Sequence, residues 1–116
     1  MALIGQEYTV IMNLIQNKNC PQDILLDLSQ NHYNNGYLIR CYVASHANSP
    51  KEALLDLSKD EHPEVRINVA KNRNCPKDIL LSLLKDKSIY VRTRAAETLQ
   101  FLDLQSKLDM KINKNN

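Results

Sequence analysis

Three ten-residue segments of this chain share one pattern, in which an Asn precedes a Pro by two positions and a leucine-rich stretch follows. They read NCPQDILLDL, NSPKEALLDL and NCPKDILLSL, and they begin at Asn19, Asn48 and Asn74. The first interval between them is three positions longer than the second. Repeats with periods of roughly 20–50 residues are typical of supersecondary units that cannot bury an apolar face alone and therefore stack.

A second recurring block has the same period and ends in arginine. It reads Leu-Ile-Arg, Glu-Val-Arg and Tyr-Val-Arg, and it ends at the evenly spaced positions Arg40, Arg66 and Arg92. Residues 10–20 also match residues 65–75 in type, which indicates a half-repeat. We therefore expect an all-α fold, a short α-solenoid of about three helix pairs, because each pair needs a neighbour to cover it.

The predicted domain is a single one that spans residues 1–111. Its parts are the half-repeat at 7–19, repeats at 20–48, 49–74 and 75–102, and a longer C-terminal helix at 97–111 that caps the stack. The longer helix is predicted because, after Ala96, the Asn-to-Pro segment does not recur and the helical period continues. Residues 112–116 are polar and are predicted to be a disordered tail.

Each repeated proline predicts the start of a short helix. Proline is favoured at the first helical position, where its missing N–H costs nothing, so the residue before it would be the N-cap. In the middle repeat, Ser49 and Glu52 have the spacing of a capping box. Asn17, His46 and Asn72 occupy matching positions ahead of these helices, and we interpret them as turn residues because Asn bonds readily to nearby backbone.

The stretch from Asp60 to Leu83 carries a recognisable pattern, D-x₄-V-R-x₂-V-A-x-N-x₃-P-x₃-L-x₂-L. This pattern resembles the leucine-rich repeat variant family, which is related to HEAT-like solenoids, and the resemblance covers roughly residues 7–102. It implies helix pairs stacked in a right-handed superhelix, with some helices short or of 3₁₀ type. The family also has an iron–sulfur segment with clustered cysteines, which this sequence lacks, so we expect no cofactor.

The three cysteines, Cys20, Cys41 and Cys75, are interpreted as structural. Cys20 and Cys75 occupy equivalent positions two repeats apart, about 20 Å if helix layers are ~10 Å thick. That separation is far beyond the reach of a disulfide, which needs Cα atoms within about 7 Å. Cys41 is expected to be a buried free thiol. Too few ligands share a metal-binding spacing, so no metal site is predicted.

Two interpretations of the arginine column remain open. In the structural one, an Asp six residues earlier pairs with the Arg, and a partly buried pair of this kind would fix the angle between helices. The proposed pairs are Asp60 with Arg66 and Asp86 with Arg92. The first repeat has Gln30 or Asn31 at that place, so Arg40 is expected to be less restrained. In the functional interpretation, the column contacts phosphates or an acidic partner.

An insertion in the first repeat is the predicted partner-binding site. The stretch from Leu28 to Arg40 is three positions longer than the corresponding stretch from Leu57 to Arg66. Insertions in solenoids lie on one edge and often bind partners, and Tyr, Asn and His suit adaptable contacts. The candidate residues are His32, Tyr33, Asn34, Asn35, Tyr37 and Tyr42. The alternative interpretation is a tolerated surface loop.

The leading functional hypothesis is non-catalytic protein–protein interaction, by a scaffold or adaptor or by an inhibitor of its partner. The sequence shows no paired nucleophile and base, no Gly-rich phosphate loop and no His-Glu-x-x-His motif, so we do not expect an enzyme. A HEAT-like base-excision glycosylase ranks last, since the chain is short and poor in aromatic residues. Neither a signal peptide nor a membrane span is recognisable, and a cytoplasmic location is expected.

The second hypothesis is nucleic-acid binding along a basic face. Its candidate residues are Arg66, Lys71, Arg73, Arg92 and Arg94. The formal net charge is only +2, and acidic residues are interleaved with the basic ones, which makes this the weaker hypothesis. The two hypotheses differ in salt dependence, because phosphate contacts weaken steeply as salt rises.

Overall fold

The computed structural model describes residues 2–30 and 36–114, with side chains described from residue 7 onward within those ranges. In this described part the chain forms seven α-helices and no strand, which confirms the all-α prediction. The helices are α1 (Ala2–Gln16), α2 (Gln22–Ser29), α3 (Gly36–Ser45), α4 (Lys51–Leu57), α5 (Pro63–Lys71), α6 (Lys77–Leu83) and α7 (Ile89–Lys114).

The helices that follow the repeated prolines start one residue later than predicted. Pro21, Pro50 and Pro76 are themselves the N-caps of α2, α4 and α6, with ψ between 143° and 157°. An N-cap needs extended backbone while its carbonyl accepts the first helical hydrogen bond, and proline's fixed φ allows both. The carbonyl of Pro21, for example, accepts from the Leu25 N–H at 3.1 Å.

The predicted capping box of the middle repeat is absent. The Ser49 hydroxyl donates instead to the carbonyl of Val43, at the C-terminal end of α3, and α4 has no side-chain cap. Ser49 is buried, and its hydroxyl is a second donor to this carbonyl, which also accepts from the His46 N–H at 3.1 Å.

The core is formed by apolar side chains from both helices of each predicted repeat. The long helices pack in chain order, α3 against α5 and α5 against α7, and the short helix α2 packs against α4. The fully buried side chains include Ile15, Leu25, Val43, Leu54, Leu57, Val65, Val69, Leu80 and Val91. At about 1.5–3 kcal/mol for each buried aliphatic side chain, this layer is the main stabilising contribution.

Helix α7 is the longest, at 26 residues, and it ends at Lys114 rather than at Lys111. Residues 112–114 are therefore helical, and not part of a disordered tail as predicted. Val91, Ala95 and Thr98 are buried in its first half, whereas every residue from 103 to 114 is exposed. The second half of α7 thus has no buried residue, unlike the first half.

Candidate interaction surfaces

Two buried arginine–aspartate pairs join successive repeats. Arg66 Nε lies 2.8 Å from Asp86 Oδ1, and both side chains are at most 7% exposed. Arg40 Nε lies 2.7 Å from Asp60 Oδ2, with side chains at most 4% exposed. In each pair the Asp comes 20 residues after the Arg and not six residues before it.

This pairing corrects the predicted arrangement within one repeat. What the Arg binds six residues earlier is a backbone carbonyl: Arg66 Nη1 donates to Asp60 O at 2.7 Å, and Arg92 Nη1 donates to Asp86 O at 2.7 Å. The expectation that Arg40 is less restrained is also wrong, since Arg40 is 3% exposed and ion-paired.

The two aspartates are ionised acceptors within these pairs. Burial raises the pKa of Asp60, but the Arg40 hydrogen bond and the His62 backbone N–H outweigh burial and lower that pKa below its usual value. At Asp86, burial is opposed in the same way by Arg66 and the Ser88 backbone N–H, and the pKa is again lowered. A carboxylate that binds a cation and a backbone N–H is stabilised in its charged form.

Polar side chains form a second recurring contact, at equivalent positions of successive repeats. Asn72 Nδ2 donates to the carbonyls of Ala44 and His46 at 2.9 and 3.0 Å, and the Thr98 hydroxyl donates to the carbonyl of Ala70. At His46, Nδ1 accepts from the Asn48 N–H, so the proton lies on Nε2, which donates to the carbonyl of Asn17 at 2.9 Å.

Asn17, His46 and Asn72 also close their own turns, as predicted. Asn17 Oδ1 accepts from the Asn19 N–H and Asn72 Oδ1 accepts from the Asn74 N–H, each at 2.9 Å. Asn72 therefore fixes its own turn and also binds the end of α3 and the turn after it, which leaves its side chain little freedom to contact a partner.

A groove of about 410 Å³ lies between α3 and α5 and contains both described partner-binding candidates. It is lined by Tyr37, Leu38, Cys41, Tyr42 and Ser45 from α3 and by Glu64 and Asn68 from α5. Tyr37, Leu38 and Tyr42 are 36–41% exposed, so each presents part of its side chain to the groove and to solvent. The Tyr37 ring stacks on the ring of His62, the N-cap residue of α5, with centroids 5.0 Å apart. This contact holds the Tyr37 ring in place.

The sequence did not single out Leu38, Glu64 and Asn68 as groove residues. Leu38 and Glu64 occupy the same place in the repeated Arg block, where the third repeat has Tyr90. This position changes from Leu to Glu to Tyr, whereas the next residue stays aliphatic and the one after it is always Arg. Such variation indicates a position that packing does not restrain, and it was the available signal. The other candidates, His32, Tyr33, Asn34 and Asn35, lie outside the described residues.

The candidate basic residues do not form one continuous face. Lys71, Arg73 and Arg94 line a separate cavity of about 280 Å³, together with Glu97, Thr98 and Phe101. The guanidinium of Arg73 lies 3.7 Å from the centroid of the Phe101 ring, which is cation–π geometry. Arg66 is buried in its ion pair with Asp86, so its guanidinium is not available to a phosphate.

The cysteines are free thiols with little reactivity. Burial and the nearby Asp78 raise the pKa of Cys75 to about 12, and burial likewise raises the pKa values of Cys20 and Cys41. A thiol with a raised pKa is a poor nucleophile at neutral pH. Cys41, predicted to be buried, is partly exposed because it lines the α3–α5 groove.

The described residues contain no group of three or more His, Cys, Asp or Glu side chains that could hold a metal ion. None of the helices in that same part of the chain is both long and apolar enough to cross a bilayer. Comparison with known proteins found no matching family model, no matching curated protein and no matching solved structure.

Proposed function

We propose that this chain is a non-catalytic protein-binding module, a short α-solenoid whose α3–α5 groove holds a segment of a partner protein. The proposed relationship to the leucine-rich repeat variant family rests on the Asp60–Leu83 sequence pattern. A cytoplasmic partner and location belong to the same proposal.

The recurring contacts support the stacked arrangement. Arg40 and Arg66 bind aspartates at the same 20-residue offset, and Asn72 and Thr98 reach back to carbonyls at the same 28-residue offset. Bonds that recur with one offset need repeats related by a similar displacement, which is the geometry of a solenoid.

The observation that carries the binding proposal is the joint exposure of Tyr37, Leu38 and Tyr42 along one groove. Exposed apolar side chains that cluster in a concavity are typical of interaction sites. Tyr is enriched in binding surfaces because its ring supplies contact area while its hydroxyl still bonds to water or a partner. Glu64 and Asn68 add polar contacts on the facing wall, so a short helix with an apolar face would fit here.

The test compares partner retention by the full chain and by matched variants. Tyr42→Ala should reduce retention of the partner at least about tenfold, because a central aromatic contact contributes ~2 kcal/mol or more. Leu81→Ala is the control: Leu81 is 47% exposed on α6 and does not line the groove. Proteins captured by affinity-tagged chain would be identified by mass spectrometry, and the affinity of the purified partner measured by calorimetry.

The proposal is rejected if Tyr42→Ala and Leu81→Ala capture the same proteins with the same affinities. Circular dichroism melting curves of both variants verify that the fold is retained, since both side chains are already partly exposed. A loss of binding with an unchanged melting curve assigns the effect to the groove.

Nucleic-acid binding is the second candidate, favoured by the cluster of Lys71, Arg73 and Arg94 beside Phe101. A single-stranded oligonucleotide would then bind with an affinity that falls steeply between 50 and 200 mM salt, on the order of tenfold or more for a few phosphate contacts. Arg73→Gln would weaken that binding, whereas Tyr42→Ala would not. Fluorescence anisotropy with a labelled single strand, long enough to cover a site of about 4–16 nucleotides, measures both effects.

A further inference from the structure

We propose that the face of α7 that carries Arg92 and Ala96 is a second docking surface. It binds the carboxylate of a partner protein's Asp, which lies just before a helix of that partner. This surface lies on a different helix from the α3–α5 groove, so the inference goes beyond the proposed function and does not depend on it.

The buried pairs show how this position of the repeat binds a carboxylate. Arg66 presents Nε and Nη2 to Asp86 at 2.8 and 3.2 Å, while its Nη1 donates to the carbonyl of Asp60. Arg40 presents the same two nitrogens to Asp60, at 2.7 and 3.3 Å. The Nε–Nη2 edge of the guanidinium is thus the carboxylate-binding edge in both repeats, and two parallel bonds of this kind are strong.

Arg92 makes only the first half of these contacts. Its Nη1 donates to the carbonyl of Asp86 at 2.7 Å, as Arg66 does to Asp60, so the guanidinium is held in the same way. Within residues 7–30 and 36–114, no carboxylate accepts a bond from its Nε or Nη2. The residue at the position equivalent to Asp60 and Asp86 is Ile112, in the exposed half of α7, and it has no carboxylate to offer.

The alanines beside these arginines show the same difference. Ala44 on α3 and Ala70 on α5 are 0% exposed, because α5 and α7 respectively pack over them. Ala96 occupies the equivalent position on α7 and is exposed. The face of α7 therefore has the small residue and the oriented arginine that the covered faces have, but no described helix covers it.

The buried pairs also define the chemistry of the occupant. Asp60 accepts from the His62 N–H and Asp86 from the Ser88 N–H, two residues later in each case, and α5 or α7 begins immediately afterwards. The expected occupant is therefore an Asp whose side chain closes a turn just before a helix. A second copy of this chain does not supply it, since both of its aspartates of this kind are already paired.

The probe for this surface is a capped synthetic peptide with the sequence of residues 77–98, which contains an unpaired Asp86 ahead of a helix start. It would be titrated into the full-length ¹⁵N-labelled chain. We expect saturable NMR shift changes at the Arg92 Nε–H and the Ala96 amide. Replacing the peptide's Asp86 with Asn should weaken binding about tenfold or more, because charged hydrogen bonds are lost.

Matched variants of the full chain identify the arginine responsible. Arg92→Gln should weaken peptide binding about as much as the Asp86→Asn peptide does. Lys107→Gln removes the same charge from an exposed side chain on the same helix, and it should change the affinity less than about twofold. If Arg92→Gln unfolds the chain, Arg92→Lys takes its place, since lysine keeps the charge but cannot form the paired contact.

Three results would overturn the proposal: no shift at Arg92, equal binding of the Asp86→Asn peptide, or equal losses in Arg92→Gln and Lys107→Gln. Tyr42→Ala separates the two sites. If the α3–α5 groove binds no partner, the peptide still causes the NMR shifts at Arg92. If the α7 face binds no carboxylate, partner retention still depends on Tyr42.

Discussion

The two halves of α7 are one continuous helix, yet different forces hold them. In the first half, Val91 and Ala95 are 0% exposed, and the Thr98 hydroxyl donates to the carbonyl of Ala70 on α5. In the second half every residue from 103 to 114 is exposed. There Asp103 forms an ion pair with Lys107 at 3.1 Å, within the helix itself.

This difference separates local helix preference from tertiary anchoring. The second half has good helix formers and an i,i+4 pair, but such pairs contribute only about 0.3–0.5 kcal/mol, and isolated helices of this length are marginal in water. The first half is held by packing against α5 and α6 and by the hydrogen bond from Thr98 to Ala70 on α5. We expect substitutions in the two halves to differ in their effect on stability by an order of magnitude.

The largest effect is expected at the Arg66–Asp86 pair, which binds the turn just before α7 to α5. Asp86→Ala leaves the buried Arg66 guanidinium without its carboxylate, which should lower the free energy of unfolding by about 3–5 kcal/mol. Asp103→Ala, which removes an exposed carboxylate from the second half, should cost less than about 0.5 kcal/mol. Urea unfolding followed by circular dichroism measures both, and equal losses would contradict the comparison.

The second largest effect is expected from acid, which protonates the aspartates of the Arg40–Asp60 and Arg66–Asp86 pairs. The pKa values of Asp60 and Asp86 are lowered in the folded chain, so their stabilising contribution is complete above the unfolded value of about 3.9. It is lost as the pH falls below that value and through the folded pKa values. Urea midpoints measured from pH 6 to pH 2 should fall, and less steeply in Asp86→Asn. An unchanged slope in that variant would show that the pair does not control acid stability.

A smaller loss is expected at the hydrogen bond between α7 and α5. Thr98→Val keeps the shape of the side chain but leaves the Ala70 carbonyl without its donor, at a cost of about 1–2 kcal/mol. Thr93→Val is the matched control, because Thr93 is exposed and bonds only to Ile89 within α7. If both variants unfold at the same urea concentration, the bond to Ala70 contributes nothing.

The smallest effect is expected in the second half of α7. Leu108 is 57% exposed, so Leu108→Ser should change the free energy of unfolding by less than about 0.5 kcal/mol. Amide hydrogen exchange should be fast from residue 103 onward and slow at Val91 and Ala95, in the wild type and in the variant. Strong protection beyond residue 103 would mean that the second half is packed against something.

The sequence predicted local features well where one segment decides them. The repeated prolines located α2, α4 and α6 to within one residue, and the Asn17 and Asn72 turns close as expected. The exact cap could not be derived, because a Pro can serve either as the cap or as the first helical residue. The Ser49 hydroxyl was misassigned since its acceptor, the Val43 carbonyl, belongs to the preceding helix.

The arginine partners were predicted wrongly for a related reason. A sequence pattern reveals only which residues are close along the chain, and Asp60 lies six residues before Arg66. Asp60 was therefore predicted to be its partner. Packing of α5 against α7 brings the turn of the next repeat closer, and Asp86 supplies the carboxylate instead. Similarly, Tyr37 and Tyr42 were named as candidates, but the facing wall of Glu64 and Asn68 depends on how α5 lies beside α3.

Periodicity and residue type were sufficient for the helical class, the approximate positions of the helices and the turns between them, because these depend on interactions within a few residues. The long-range pairing of Arg40 and Arg66, the groove beside Tyr42 and the open edge of Arg92 required the folded chain. Such contacts depend on the displacement from one helix pair to the next, and that displacement is set by how whole faces pack together.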